Sequence, residues 1–556
     1  MRRASRLLAA SAVGLSLLLT ACGSDSDPAD PTSTTDSSVA ATDGATTDPA
    51  TDGAAAAGGE IVIRGCTPEN PLVPGNTSET CGGDMVDAMT AKLVEYNTET
   101  SEPEMDIAES IESDDNVTFT VKLKEGYLFH DGTEVKAHNF VDAWNYTAAY
   151  ENGQAGAYFM SVFKGAYEMA EEGSTTTELE GLNVVDDYTF TIETTGPVGN
   201  LPVRLGYSAF APLPDAFFED PEAFEDAPIG AGPFKFDSQS TTEYVFTKFE
   251  DYSGENAANV DKLTFRIYTD PAAAYADVVA NNLDYTNEIP ADVLVGEQYQ
   301  ADLPDRNLSR ESMRFTTMVF SPNDPQLADN LDLRRAISMA IDRQLIIDQI
   351  YNGTYTAAHG WAPSIVSGAT DSACGKWCDF DPEAAKALYD EAGGYDGTLT
   401  ITTNGDGAHK EWTEATCNSI KNTLGVECIV NLTVDFATYN EQIDNNEIMG
   451  LFRSGWQGDY PSLENFLAPI YGTGADSNWS QYSNQAFDDK LAEANAADTT
   501  EAADALYAEA EQMLGEDLPT APLWYPRTIV GYSDRVENVQ INAFGVLDFS
   551  AISVKQ

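Results

Sequence analysis

One cation, one indole and one carboxylate fall within seven residues in the stretch Arg453-Ser454-Gly455-Trp456-Gln457-Gly458-Asp459. The stretch follows a polar, helix-like segment from Tyr439 to Glu447, opens as an apolar strand at Leu451-Phe452, and ends in a glycine-punctuated aromatic turn. Rigid backbone at such a turn aims a few polar side chains into a cleft. The chemistry on offer is recognition: Asp459 and the strand edge, with Gly455 and Gln457 in the same stretch, are placed to hold a peptide-like ligand.

Covalent and hydrolytic chemistry find no matching pattern. There is no Gly-x-Ser-x-Gly elbow, no His-Glu-x-x-His, no P-loop and no dinucleotide-binding glycine pattern. No catalytic residue and no cofactor is therefore assigned, and the chain reads as a non-enzyme. A retaining glycosidase requires two carboxylates at no fixed sequence spacing. The 91 acidic residues supply such pairs without singling one out. That reading stays open as a rival, as does a surface receptor without transport.

The chain has 556 residues, more than one core accommodates, which implies two or more domains. A hydrophobic fraction of 42% suffices for ordinary globular cores. The formal charge of -62 repels nucleic acids and anionic headgroups, so neither is expected as a partner. Most of that acidity reads as a solvated surface.

Residues 1–21 form a signal peptide: Arg2, Arg3 and Arg6 precede an apolar run from Leu7 to Leu19 that is too short to span a membrane. Leu19-Thr20-Ala21-Cys22 resembles the bacterial lipobox, which implies lipidation of Cys22 and anchoring to the outer face of the cytoplasmic membrane. Residues 22–59, poor in large apolar side chains, read as a disordered tether with an end-to-end distance of roughly 35 Å. The remaining six cysteines fall as three local couples, Cys66 with Cys81, Cys374 with Cys378 and Cys417 with Cys428. Six cysteines allow 15 connectivities; the local couples are the favoured one, in keeping with an oxidising compartment. Zinc is disfavoured, because no Cys-x-x-Cys occurs and no histidine stands at ligand spacing from any pair.

The elements that must position the stretch alternate between strand and helix patterns, the α/β signature. Alternation predicts strands at Glu60 to Arg64, Val117 to Leu123, Tyr188 to Glu193, Lys262 to Tyr268, Arg314 to Phe320, Thr398 to Thr403 and Val426 to Val434. Helical periodicity covers Asp84 to Tyr96, Pro271 to Asn281, Leu333 to Ile350, His409 to Leu424 and Glu501 to Leu514.

Over nearly all of residues 60–556 the chain resembles the family 5 extracellular solute-binding proteins of ABC importers, the oligopeptide and dipeptide binders. The resemblance lies in phrases met in the expected order: Phe129-His130-Asp131-Gly132, Gly230-Ala231-Gly232-Pro233-Phe234, Leu283-Asp284-Tyr285, Leu333-Arg334-Arg335-Ala336-Ile337, Phe380-Asp381-Pro382 and Trp456-Gln457-Gly458-Asp459-Tyr460. It implies a two-lobed α/β fold of the periplasmic-binding-protein type II, in its large class with an extra subdomain in lobe I, and two hinge crossings. Lobe I is expected over 60–312, with the subdomain at about 84–187; lobe II over 313–514; and a return to lobe I over 515–556. Asp459 stands where the family's peptide binders keep the acid for the ligand α-amine. Arg453 and His409 match positions that meet ligand C-termini, Trp456 and Phe436 are expected to wall side-chain pockets, and Glu79 and Thr80 lie near a ligand-facing loop of lobe I. The resemblance also implies a monomer that hands a short peptide to permease and ATPase subunits on separate chains. Sugars and nickel chelates are the alternative solutes.

Overall fold

The computed structural model describes residues 58–555 except 78, 406–408, 435 and 476. The signal peptide, Cys22 and all but the last two residues of the 22–59 tether lie outside the described residues. Two large sheets organise the rest. The first runs in the order Asn307–Glu311, Arg527–Tyr532, Tyr285–Thr286, Glu60–Gly65, Lys262–Ile267, Glu243–Lys248, Phe234–Gln239. The second runs Thr356–Ala357, Thr520–Tyr525, Arg314–Phe320, Leu451–Gln457, Leu399–Asn404, Cys428–Thr433. Each sheet carries its own apolar core, with Ile61, Ile63 and Phe265 in the first and Met318, Trp412 and Trp524 in the second. This is the two-lobed α/β fold that the sequence implies.

The chain passes from the first sheet to the second at Ser312–Met313 and back at Pro526. The crossings lie side by side, since Ser312 donates from both its backbone N–H (3.3 Å) and its hydroxyl (3.0 Å) to the Pro526 carbonyl. The return falls later than the expected residue 515. The reason is the strand Thr520–Tyr525, whose alternate faces are both buried and which pairs with Arg314–Phe320 inside the second sheet. Pro526, next in sequence, stands at the crossing between that strand and Arg527–Tyr532 of the first sheet.

The subdomain is built on a four-stranded sheet from Ala108–Ser113 to Thr189–Glu193. Its core, with Phe140, Trp144 and Phe190, draws residues from Val73 to Ala231, a wider span than 84–187. Two of the motif phrases meet where it joins lobe I. The neutral ring of His130 accepts from the Gly230 N–H at Nδ1 (3.1 Å) and pairs through Nε2 with the Gly232 carbonyl (3.0 Å), and burial holds its pKa down at about 4. These phrases serve the fold rather than the cleft.

Helices differ from the sequence reading in two places. The helix expected over Asp84 to Tyr96 runs instead from Thr80 to Met89, and its last residues become the short strand Val94–Tyr96. The single helix expected over Leu333 to Ile350 is two, Leu331–Met339 and Arg343–Ile350. Buried Arg343 explains the break: its Nη1 donates to the Ser338 carbonyl (3.0 Å) and its Nε to that of Pro522 (2.7 Å), while Asp342 caps the second helix by accepting from the Leu345 N–H (3.1 Å). The three disulfides are those expected, Cys66–Cys81, Cys374–Cys378 and Cys417–Cys428.

Candidate functional site

The strand Leu451–Gln457 pairs over its whole length with Arg314–Phe320, in register from Leu451 opposite Phe320 to Gln457 opposite Arg314. On its other side it pairs with Leu399–Asn404 only at Leu451 and Phe452. From Arg453 to Gln457 that second edge joins no strand among the described residues; the Arg453 carbonyl accepts from the Tyr439 hydroxyl, and from Ser454 onward the edge has room for an added chain. Gly455 permits the close pairing on the first side: a Cβ there would lie 2.8 Å from the Phe315 carbonyl oxygen. Just past the strand, the Gly458 N–H donates to the Met313 carbonyl (2.8 Å), which ties the turn to the hinge crossing.

Asp459 follows at once. Its N–H donates to Asn465 Oδ1 (2.9 Å), Asn465 Nδ2 donates to its carboxylate (3.2 Å), and the Trp456 indole donates to the same Asn465 Oδ1 (3.0 Å). Asn465 thus locks the carboxylate and the indole together from the first turn of the helix Glu464–Tyr471. The Tyr158 hydroxyl from the subdomain acts on the same carboxylate and lowers its pKa. Burial pushes the Asp459 carboxyl up to about 6, Glu464 adds to the rise, and Asn465, Tyr158 and Arg204 pull against it. No ion pair satisfies it among the described residues. Its neighbour Glu464, by contrast, takes Arg204 at 3.0 Å, Asn200 at 3.2 Å and the Tyr460 hydroxyl at 2.6 Å, and the Arg204 guanidinium lies over the Tyr460 ring.

The other expected residues form separate groups. Arg453 donates through Nε to Asn404 Oδ1 (2.8 Å), and its guanidinium lies over the rings of Phe436 and Tyr439 at 5.1 and 5.3 Å. Phe436, expected to wall a side-chain pocket, is here a platform for Arg453. His409 is the N-cap residue of Lys410–Leu424, and its Nδ1 accepts from the Trp412 indole (3.2 Å). Glu79 caps the helix Thr80–Met89, accepting from the N–H groups of Gly82 and Glu69 at 3.0 Å.

Glu79, Thr80 and Gln457 line a cavity of about 510 Å³ between the lobes, close to the crossings. The other expected site residues do not line it. Its lobe I wall carries Asp84, Asp87 and Glu95 around Lys92, which bridges Asp87 at 2.9 Å and Glu95 at 3.1 Å. Burial, reinforced by Asp87 and Glu79, pushes the Asp84 carboxyl up to about 8. Arg64 and Arg527 from the first sheet and Arg314 from the second complete the lining, and Arg64 and Arg314 pull the Asp84 carboxyl down against that rise. Tyr207 stands between the two regions and is influenced by both Asp459 and Asp87.

Sequence reasoning missed Asn465, Tyr158, Asn404, Tyr439 and the carboxylates of the cavity. For Asn465 a signal existed: Glu464-Asn465 is a polar pair set inside the apolar run Leu463 to Leu467, and buried polar residues need partners. For Tyr158 and Asn404, which act across a long sequence separation, there was none.

Comparison with known proteins places this arrangement. Residues 102–478 match the profile of the bacterial extracellular solute-binding proteins, family 5, middle part. Heme-binding protein A of Haemophilus influenzae is 25% identical over 482 residues, covering 83% of this chain and 86% of that protein. The oligopeptide-binding protein OppA of Bacillus subtilis is 24% identical over 471 residues, covering 82% and 85%. Among solved structures, the periplasmic murein tripeptide binding protein MppA in its unliganded open form superposes with a TM-score of 0.79 at 23% identity, covering 89% of this chain and 98% of that one. Among the described residues no helix is long and apolar enough to cross a membrane.

Proposed function

Because this chain belongs to the family 5 bacterial extracellular solute-binding proteins, we propose that it captures short peptides between its two lobes. The observation that carries the reading is a strand edge that joins no neighbouring strand from Ser454 to Gln457 among the described residues and leads directly to Asp459, a part-buried carboxylate with no ion pair among the described residues. The peptide main chain adds to that edge, its ammonium meets Asp459, and its carboxylate turns to Arg453 or, in longer ligands, to His409. Six residue steps separate Arg453 from Asp459, at most about 20 Å of extended chain, which suits peptides of roughly three to five residues. Trp456, Gly455, Gln457 and Phe436 shape the rim, and Glu79 and Thr80 face the ligand from lobe I. Printed names of relatives, among them the dipeptide-binding protein of Escherichia coli, favour the same solute class.

In this reading the protein works as a monomer without a cofactor. Lipid on Cys22 holds it at the outer face of the cytoplasmic membrane, and permease and ATPase subunits on separate chains take the ligand onward. Mass spectrometry of solutes released from the purified protein tests the reading. Peptides of mixed sequence are expected; a single sugar or nickel chelate that rebinds while peptides do not would overturn it. Release of a Cys22→Ser variant into the medium tests the anchor.

A further inference from the structure

Besides the two crossings, the subdomain is bonded directly to lobe II. From the subdomain come Asn116, just ahead of the strand Thr118–Leu123, and the segment from Gly199 to Arg204, whose neighbours Leu201 and Leu205 belong to the subdomain core. From lobe II come Ser462 and Glu464 at the start of the helix Glu464–Tyr471, with Asn495 and Ala497 at the end of the helix Gln485–Asn495. The Gly199 N–H donates to the Asn495 carbonyl (2.8 Å), and Asn116 Nδ2 donates to that of Ala497 (2.8 Å). Asn200 Nδ2 donates to Ser462 Oγ (3.3 Å) and to Glu464 Oε2 (3.2 Å). Arg204 pairs with the same carboxylate at 3.0 Å and holds Asn200 Oδ1 through its Nε (3.0 Å). The two surfaces touch closely, since a Cβ on Gly199 would lie 3.0 Å from the Asn495 carbonyl oxygen. The Glu464 side chain is 5% exposed and that of Arg204 18%, so drawing the surfaces apart would strand a shielded charge pair.

We propose that this contact is a clasp between the lobes, with Arg204 as its positioning residue, and that it stays made while the lobes part to admit a ligand. Asp459 lies between two fixed points: Gly458 is tied to Met313 at the crossing, and Tyr460 bonds Glu464 in the clasp (2.6 Å). The groups at the other end bond within lobe II, Arg453 to Asn404 and His409 to Trp412, so parting there separates neither pair. The cleft therefore opens on the Arg453 side and stays covered at Asp459. Arg204 also sets part of that cover, because its carbonyl accepts from the N–H of Tyr207 (3.1 Å), which lines the cavity with its ring against Phe159 at 4.3 Å. The clasp serves any solute the cleft takes; only the ammonium at Asp459 belongs to the peptide reading.

A covalent bridge across the contact tests the proposal. Asp114 and Asp498 are exposed and lie close in sequence to Asn116 and Ala497; Asp114→Cys with Asp498→Cys, joined by a short bismaleimide, locks the clasp without altering Arg204 or Glu464. Small-angle scattering of the protein alone should give the same radius of gyration with and without the bridge, and trialanine should bind both with equal affinity in isothermal titration. Contraction on bridging, or trialanine binding that bridging abolishes, would overturn the proposal. In the converse experiment Arg204→Met with Glu464→Gln removes both charges together. That variant should show a larger radius of gyration and release trialanine about tenfold faster, the scale of one lost hydrogen-bonding group, with thermal unfolding checked alongside. An unchanged radius in the folded variant would also overturn it. Failure of the peptide reading looks different: trialanine would bind to none of these proteins, and the scattering of the bridged protein decides by itself.

Discussion

Replacing Asp459 by Asn removes a charge while leaving the shape and the Asn465 contact nearly intact, so it isolates the electrostatic part of ligand capture. In the unliganded protein the carboxyl is raised from its ordinary value of 3.8 to about 6 by burial. Ionising it in place therefore costs at most about 3 kcal/mol, at about 1.4 kcal/mol per pKa unit. A ligand ammonium reverses that cost and adds its own hydrogen bonds. Breaking such a shielded pair costs about 3–5 kcal/mol, or roughly 10²- to 10⁴-fold in Kd. Isothermal titration should show that loss for a free-amine peptide against Asp459→Asn, and a comparable loss for an N-acetylated peptide against the unaltered protein. Stability should move the other way. A carboxyl whose folded pKa is raised contributes stability that is fully present below the unfolded value near 3.8 and is lost as pH rises through about 6. The unliganded Asp459→Asn protein should therefore unfold at a higher temperature than wild type at pH 7, and the difference should vanish near pH 3.5. Affinity for free-amine peptides should fall by up to tenfold per pH unit below about 6, as protons compete for the carboxylate. Equal binding of acetylated and free peptides, or an Asn variant less stable than wild type at pH 7, would refute the reasoning.

Three other perturbations probe what surrounds that carboxylate. Arg453→Lys should weaken free-acid peptides by about 1.5–3 kcal/mol while leaving C-terminal amides unchanged, because an ammonium lacks the planar fork that stacks between Phe436 and Tyr439 and bonds Asn404; titration of acid and amide pairs reads this. Asn465→Ala should cost about 1–3 kcal/mol of stability in denaturant melts and weaken peptide binding as well, since the indole of Trp456 and the backbone of Asp459 share that one oxygen. Replacing Cys66 and Cys81 together by Ser should lower the unfolding free energy by about 3 kcal/mol for a loop of this length, and should loosen the helix Thr80–Met89 that carries Thr80 and Asp84 to the cavity.

What could be read from the chain depended on range. Alternation and helical periodicity are local, and they located Arg314–Phe320 and the helix ahead of the key strand well enough to place Asp459 at a strand end. The break at Ala340 to Asp342 was hidden because its cause, the guanidinium of Arg343 reaching Ser338 and Pro522, joins positions 179 residues apart. The return to lobe I was misjudged by eleven residues for a related reason: Pro519 to Val530 reads as one apolar run, and only pairing partners divide it into strands of two different sheets at Pro526. Of the expected site, Trp456 and Asp459 meet through Asn465, Arg453 and Phe436 meet through a cation–π contact, and His409 stands with Trp412. Glu79, expected near a ligand-facing loop, lines the cavity as the cap of the helix Thr80–Met89, whose later residues Asp84 and Asp87 add to its charge.

The distribution of cations explains why acidity alone was such a poor guide. Among so many acids, those that matter to a ligand are the ones the fold leaves without a base. Glu464 and Asp459 are five residues apart on one turn, yet Arg204 is committed to Glu464, backed by Asn200 and Tyr460, and Asp459 receives only neutral donors. On the lobe I wall Lys92 is committed to Asp87 and Glu95, while Arg64 and Arg314 act on Asp84, three residues before Asp87, against the burial that raises its pKa. With 29 basic residues against 91 acids, a surface carboxylate left unpaired is simply solvated, but one shielded from water carries a cost that a proton or an incoming cation removes. In the proposed reading Asp459 is left for a ligand ammonium because Arg204, the base nearby, is held by Glu464.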